Sequence, residues 1–151
     1  MNTSTIGVLV LGVLLAGVSV AWAHEEAERL PAGPIRQRHE LMENLGSRAK
    51  DIGNAIRSGT TEGVAENAES IRDASKKIPG LFPRGSTDPK SRANELIWKE
   101  WSRFERSAQT LTDTAATLAE AARSGRDVGQ ASRQMSQACK GCHEAFRQPE
   151  E

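Results

Sequence analysis

The stretch ACKGCHEAF, residues 138–146, lies close to the end of the 151-residue chain and contains both of its cysteines. Cys139 and Cys142 are three positions apart, and His143 follows directly. Residues three and four positions apart on a helix are neighbours on one face, so these side chains would project from one side. Three chemistries fit this spacing: a redox dithiol, a metal site and the covalent attachment of a haem.

The chain around this motif predicts helices and no strand. Four segments with apolar residues spaced by three and four are separated by Gly, Pro and Ser breaks, at about residues 34–57, 61–78, 88–124 and 127–148. Coiled-coil dimers have similar spacings, but the regular breaks favour a compact fold. We therefore predict an all-α fold, an antiparallel four-helix bundle with its site between facing helices.

Several residues mark where the predicted helices begin and end. Asp88 is a good N-cap for the third helix, and Pro89 is a favoured first helical residue. Gly125 supplies a stop for the third helix, and Asp127 with Gln130 resembles a capping box at the start of the fourth. Pro149 ends the fourth helix.

Each predicted helix has one apolar face, which we assign to the core. The charged exception is Arg38, which lies on the seam of the first helix. The predicted core positions are Ile35, Met42, Leu45, Ala49, Ile52, Ile56, Val64, Ala68, Ile71, Ile78, Ile97, Trp101, Phe104, Ala108, Leu111, Ala115, Leu118, Ala122, Val128, Ala131, Met135, Ala138 and Cys142, followed by Ala145 or Phe146.

The first 23 residues contain no charged side chain. An apolar run over residues 6–20 is followed by Ala21-Trp22-Ala23, a cleavage site of the small-x-small kind. The n-region lacks Lys and Arg, and the apolar run approaches the length of a bilayer span, so an uncleaved membrane anchor is the alternative. We predict a signal peptide at residues 1–23 and one periplasmic domain at residues 24–151, with no membrane association after cleavage.

The charge of the chain is balanced, with 20 Lys and Arg against 20 Asp and Glu. A nucleic-acid partner would require a basic excess, so we predict none. Aromatic residues make up 4% of the chain and Tyr is absent. A small exported domain of this composition benefits from another group that fills its core.

The surroundings of the cysteine pair favour haem among the three chemistries. C-x-x-C-H is the attachment signature of a c-type haem, in which both thiols bond to the haem and the imidazole binds the iron. A redox dithiol works from a helix N-terminus, whereas this motif lies late in a helix. A structural zinc site needs four ligands, and a disulfide between these cysteines would close almost no loop. We predict one covalent haem c, with thioethers at Cys139 and Cys142 and His143 as the proximal axial iron ligand.

With C-K-x-C-H on the last helix of a four-helix bundle, the mature chain resembles the class II c-type cytochromes, the cytochrome c-prime family. Further elements of this resemblance occur in the expected order: RHELM at residues 38–42, LFP at 81–83 with GS at 85–86, IW at 97–98, Phe104, and FR at 146–147. The haem motif is specific, whereas each of the others is weak by itself.

The resemblance implies a role for Met42, four residues after Arg38. High-spin members of the family have an apolar residue at this position, and low-spin members have a Met that binds the iron. We therefore predict Met42 as the distal axial iron ligand, with core filler as the alternative. His39 is a rival ligand just off the seam, and Met135 is on the same helix as His143 and is assigned to the core.

Arg38 and Trp98 each have two possible roles. A buried Arg needs a partner, and a haem propionate can be held by its guanidinium; otherwise its stem reaches to solvent. We predict that Arg38 binds a haem propionate. Trp98 lies one residue off the main apolar stripe, where it either packs against the haem edge or belongs to the core.

His143/Met42 ligation would leave no vacant position on the iron and implies electron transfer without catalysis. The sequence therefore predicts a non-enzymatic periplasmic electron-transfer protein with redox proteins as partners, and the resemblance makes a homodimer possible. The alternative is a five-coordinate haem protein of the same family that binds nitric oxide or carbon monoxide, which requires Met42 to stay off the iron.

Overall fold

A computed structural model of the protein describes residues 30–149, so the predicted signal peptide lies outside the described residues. This part of the chain forms five α-helices and no strand: α1 (Pro34–Arg57), α2 (Val64–Ser75), α3 (Leu96–Lys99), α4 (Trp101–Ser124) and α5 (Val128–Phe146). A 3₁₀ turn, Pro79–Leu81, follows α2. Within the described residues, no helix is both long and apolar enough to cross a bilayer.

The four long helices form a bundle around one core. α4 packs extensively against α2 and α5, and α1 packs against α2, whereas α1 and α5 meet at few positions. The predicted all-α four-helix bundle is thus confirmed. The core consists mainly of aliphatic residues from all four helices, with the most deeply buried large side chains being Phe104, Ile52, Ile71, Ile97, Leu118, Met135 and Val64.

The first helix has the bounds that its sequence predicts. Pro34 occupies the first turn, where a missing N–H costs no hydrogen bond, and the helix ends at Arg57 before a turn at Gly59. The second helix is shorter than predicted, because residues 61–63 and 76–78 form turns with bonds from residue i to residue i+3. Its predicted core residues are nevertheless all buried.

The predicted start of the third helix at Asp88 is wrong. Asp88 Oδ1 instead accepts a hydrogen bond from the backbone N–H of Lys90, and Asn94 Oδ1 accepts one from that of Leu96. Such local side-chain bonds compete with helix formation. Only the four residues of α3 are helical before a break at Glu100, and the long helix α4 begins at Trp101.

The two ends of the α4–α5 connection differ in how well the sequence predicted them. Gly125 has a left-handed backbone, φ 66°, and its N–H bonds to the carbonyls of Ala121 and Ala122, so the predicted stop is confirmed. The predicted capping box is wrong, since Asp127 is itself left-handed with φ 56° and forms no side-chain cap at the start of α5.

The C-terminal tail is attached to the α2–α3 connection. Ala93 and Arg147 form an isolated antiparallel bridge, in which Asn94 N–H bonds to Phe146 O and Gln148 N–H bonds to Arg92 O. The Arg92 side chain also donates to Gln148 O. This pairing brings the α2–α3 connection against the end of α5, next to the C-x-x-C-H motif.

Candidate functional site

A cavity of about 1240 Å³ lies between α1, the α2–α3 connection and the C-terminal part of α5. It occupies the side of the bundle where α1 and α5 meet at few positions. Its lining residues are Leu30, Ile35, Arg38, His39, Met42, Glu43, Phe82, Lys90, Ser91, Arg92, Ala93, Ile97, Phe104, Cys142, His143, Phe146 and Arg147.

The helix α5 brings the C-x-x-C-H motif to this cavity. Cys142 and His143 line it, and Cys139 lies one turn earlier, half-buried against the core. The two thiols are not linked to each other. Burial raises the pKa of the Cys139 thiol, and burial together with Cys139 raises the pKa of Cys142 to about 11. Both thiols are therefore protonated at neutral pH, unlike the low-pKa thiolate of a redox dithiol.

His143 is accessible from the cavity, and its pKa is lowered. The causes are desolvation and the positive charges of Arg147 and Arg92. A lowered pKa keeps the imidazole neutral at pH 7, which is the form that binds a metal ion. Within residues 30–149, no three His, Cys, Asp or Glu side chains converge in a way that could hold a metal ion.

Met42 and His143 line the same cavity from different helices. Met42 is half-buried on α1, where it packs against the core cluster. His39 also lines the cavity, and its Nε2 lies 3.4 Å from Glu43 Oε1. Met135 is only 1% exposed and belongs to the core, as predicted.

Arg38 is buried in the cavity wall with 4% of its surface exposed. Its Nη1 donates to Ser86 Oγ at 2.9 Å, and its Nη2 donates to Ser86 O at 2.9 Å and to Ser91 Oγ at 2.6 Å. The guanidinium carbon lies 4.7 Å from the centroid of the Phe82 ring. Desolvation lowers the pKa of Arg38, and the charge of Asp88 partly opposes this effect.

The hydrogen bonds of Arg38 limit how it can hold an anion. A guanidinium can bind a carboxylate in a bidentate manner in two ways: with hydrogens of Nη2 and Nε, or with hydrogens of Nη2 and Nη1. Both Nη2 hydrogens are donated to Ser86 and Ser91. In this arrangement, a carboxylate in the cavity would receive single hydrogen bonds from Nε or Nη1.

Trp98 is hydrogen-bonded to the segment that contains Phe82, a residue of the cavity wall. Its indole Nε1 donates to the carbonyls of Phe82 and Pro83, at 2.9 and 3.1 Å. Trp98 is half-buried against the core, and the cavity lining in the described part of the chain does not include it. These contacts favour the core reading of Trp98 over packing at a haem edge.

The cavity fits a haem in size, polarity and donor set. Its volume slightly exceeds the range of about 300–1,000 Å³ typical of small-molecule sites, as a large macrocycle requires. Phe82, Phe104 and Phe146 supply aromatic walls, and Phe104 contacts the other two rings edge-on. The thiols and the neutral imidazole on α5 are the donors that covalent haem attachment uses. Fold and cavity together define a helical-bundle haem protein of the c type.

The chain belongs to the cytochrome c′ family, since the model of that family, described as "Cytochrome C'", matches residues 33–147. The class II c-type cytochrome resemblance is therefore confirmed. Cytochrome c′ of Pararhodospirillum photometricum is 28% identical over 78% of this chain and 98% of its own length. Cytochrome c-556 of Agrobacterium tumefaciens is 30% identical over 73% and 90%, respectively. A protein of this family binds one covalent haem c, and so does this chain.

The solved structures give the same fold. Cytochrome c prime from Shewanella frigidimarina is 25% identical and matches 80% of this chain and 98% of its own with a TM-score of 0.72. A nitric oxide complex of a point mutant of cytochrome c prime from Alcaligenes xylosoxidans is 20% identical and matches 80% and 100% with a TM-score of 0.70.

Part of the cavity wall was missed by the sequence analysis. Lys90, Ser91, Arg92 and Ala93 line the cavity from a segment that was predicted to be helical. They face α5 because this segment pairs with the C-terminal tail, a contact between residues more than fifty positions apart. Asp88 and Asn94 were the local signals for an irregular segment, because both side chains favour turns.

Proposed function

We propose that this protein is an exported haem c protein that binds a small diatomic gas, nitric oxide or carbon monoxide, at the iron face opposite His143. The observation that carries the proposal is that apolar side chains, Ile35, Phe82 and Phe104, line the same cavity as Met42. Apolar surroundings favour a neutral diatomic ligand over water or an anion. The nitric oxide complexes among the similar structures support the proposal.

The C-x-x-C-H motif would supply the attachment. We propose that the Cys139 and Cys142 thiols each add across one vinyl group, with the sulfur bonding to one carbon and the thiol hydrogen passing to the other. This addition needs no oxidant. His143, kept neutral by desolvation and by Arg147 and Arg92, would bind the iron. The haem supplies the iron that binds the gas and carries an electron.

Met42 and Arg38 would control the other side of the haem. In the gas-binding protein, Met42 stays off the iron and shields it as an apolar side chain. Arg38 would face a haem propionate, because a buried cation whose hydrogen-bond partners are neutral serine groups favours a nearby anion.

Electron transfer with His143/Met42 ligation is the second candidate. Met42 supports it, because this thioether lines the same cavity as His143 from a different helix. Met42 on the iron would saturate it and raise its reduction potential relative to two nitrogen ligands. In either case we propose that the protein catalyses no reaction and receives electrons from redox proteins. We also propose that it is exported with cleavage after residue 23 and that it associates into homodimers.

The optical and electron-paramagnetic-resonance spectra of the oxidised protein separate the two candidates. The gas-binding proposal predicts a high-spin, five-coordinate ferric haem. A low-spin spectrum with the weak red band of Met-to-iron charge transfer would contradict it and would support electron transfer. Met135 is buried away from the cavity. The variant Met135→Leu should therefore have the same spectrum as the wild-type protein.

A further inference from the structure

Ser91 lies in the α2–α3 connection and lines the cavity beside Arg38. Its hydroxyl oxygen accepts two hydrogen bonds, one from Arg38 Nη2 at 2.6 Å and one from the backbone N–H of Ala93 at 3.3 Å. A serine hydroxyl has two acceptor lone pairs and one donor hydrogen. Both lone pairs of Ser91 are engaged, and its hydrogen is therefore available to an acceptor in the cavity.

We propose that Ser91 donates this hydrogen to a carboxylate oxygen of the haem and is thereby a haem-binding residue of this chain. The inference rests on the proposed attachment at Cys139 and Cys142 and is independent of the ligand at the opposite iron face. Carboxylates are the anionic groups that a haem carries, and a hydroxyl is a good donor to them.

Arg38 strengthens Ser91 as a donor. Arg38, with 4% of its surface exposed, has its Nη2 2.6 Å from Ser91 Oγ, and Ser91 is half-buried. A hydroxyl that accepts from a cation is polarised, so that its own hydrogen bond to an anion becomes stronger. Arg38, whose two Nη2 hydrogens are engaged, thus acts on the carboxylate partly through Ser91.

Ser86 provides a matched contrast. Its hydroxyl accepts from Arg38 Nη1 at 2.9 Å, so it contacts the same guanidinium as Ser91 does. Among the described residues that line the cavity, however, Ser91 is present and Ser86 is not. Without the Ser86 hydroxyl, Arg38 Nη2 would still donate to the Ser86 carbonyl and to Ser91 Oγ, so this loss should keep the guanidinium in place and remove no donor to the haem.

The experiment compares the haem-loaded wild-type protein with Ser91→Ala, Ser91→Thr and Ser86→Ala. The propionate bending band in the resonance Raman spectrum and the midpoint reduction potential are measured for each. Ser91→Ala should shift the band and lower the potential, because a carboxylate without this donor keeps more negative charge beside the ferric iron. Ser91→Thr, which keeps the hydroxyl, should restore both values, and Ser86→Ala should leave them near wild type.

An unchanged propionate band in Ser91→Ala would overturn the proposal. Equal shifts in Ser86→Ala and Ser91→Ala would also overturn it, because both residues would then act only by orienting Arg38. Acid-acetone extraction of each sample separates these results from failure of the proposed function. Haem that leaves the polypeptide contradicts the attachment itself, whereas retained haem with an unmoved band concerns Ser91 alone.

Discussion

The surroundings of Cys139 and Cys142 favour the proposed attachment over redox exchange. Their pKa values are raised by burial, and they lie in the last turns of α5, far from the helix N-terminus that lowers a thiol pKa. The neighbouring imidazole has the opposite shift, because the pKa of His143 is lowered by desolvation and by two arginines. Protonated thiols beside a neutral imidazole suit addition to vinyl groups and ligation of iron.

The thiols give the first prediction at this scale. In the wild-type protein, haem should stay on the polypeptide after acid-acetone extraction, and no free thiol should be titratable. The double variant Cys139→Ser/Cys142→Ser should release its haem, because ligation by His143 alone is reversible. Lys140→Ala, within the same motif but exposed, is the control and should retain it. Extractable haem in the wild-type protein would contradict covalent attachment.

Met42 gives the second prediction. Met42→Ala should leave the ferric haem high-spin and lower the Kd for carbon monoxide several-fold, because it removes an apolar side chain from the iron face. A switch from a low-spin to a high-spin spectrum in this variant would mean that Met42 had been a ligand. Met135→Ala, the control, should leave the Kd unchanged while it destabilises the core by about 2–5 kcal/mol.

At the scale of elements, α1 and the segment before α4 illustrate what local sequence can predict. The bounds of α1 follow from its own residues: Pro34 in the first turn and a glycine turn after Arg57. Residues 88–95 have a helix-like start at Asp88 but are held by pairing with residues 146–148. Pairing with a distant segment leaves no periodic pattern in the local sequence. The position of Ser91 in the cavity wall could therefore not be predicted, whereas the C-x-x-C-H motif on α5 could be recognised from its spacing.

Two glycines test the account of the helix ends. Gly125 has φ 66°, so Gly125→Ala should cost about 1–2 kcal/mol from left-handed backbone strain. Gly46 lies exposed within α1, and a Cβ there would meet no atom within 4 Å. Gly46→Ala should therefore stabilise the protein by about 0.5–1 kcal/mol. Chemical denaturation of both variants measures these opposite signs, and a stabilising Gly125→Ala would contradict the helix stop.

A buried hydroxyl pair joins α2 to α4. Ser75 Oγ and Thr112 Oγ1 are 2.7 Å apart, and each lies within hydrogen-bond distance of a carbonyl of its own helix, Arg72 O and Ala108 O. Because each hydroxyl has one hydrogen, one of them donates to the other, and the accepting hydroxyl donates to its own-helix carbonyl. Because the hydroxyl that remains in either single variant can donate to its own-helix carbonyl, Ser75→Ala or Thr112→Val should cost only about 1 kcal/mol. A double-mutant cycle should give a coupling of about 0.5–1.5 kcal/mol. Strictly additive effects would show that the contact contributes nothing to stability.

At the scale of the whole molecule, charge is balanced overall, and several cationic residues line the cavity. The chain has equal numbers of acidic and basic residues, and the described residues that line the cavity include Arg38, Lys90, Arg92 and Arg147 as well as the carboxylate of Glu43. Such a lining favours a group that carries carboxylates on its edge and an apolar ring within. In the proposed function, the bundle would provide aromatic walls for the ring, cations for its carboxylates and α5 for its attachment.

The most direct test of the gas-binding proposal is a carbon monoxide titration of the reduced wild-type protein, followed by its Soret absorption. A vacant iron face predicts a shift of the Soret band that saturates with a one-to-one stoichiometry per haem. A reduced spectrum that does not change at any carbon monoxide concentration, with the haem retained on the polypeptide, would contradict the proposal. That result would support the second candidate, an electron-transfer protein in which His143 and Met42 both bind the iron.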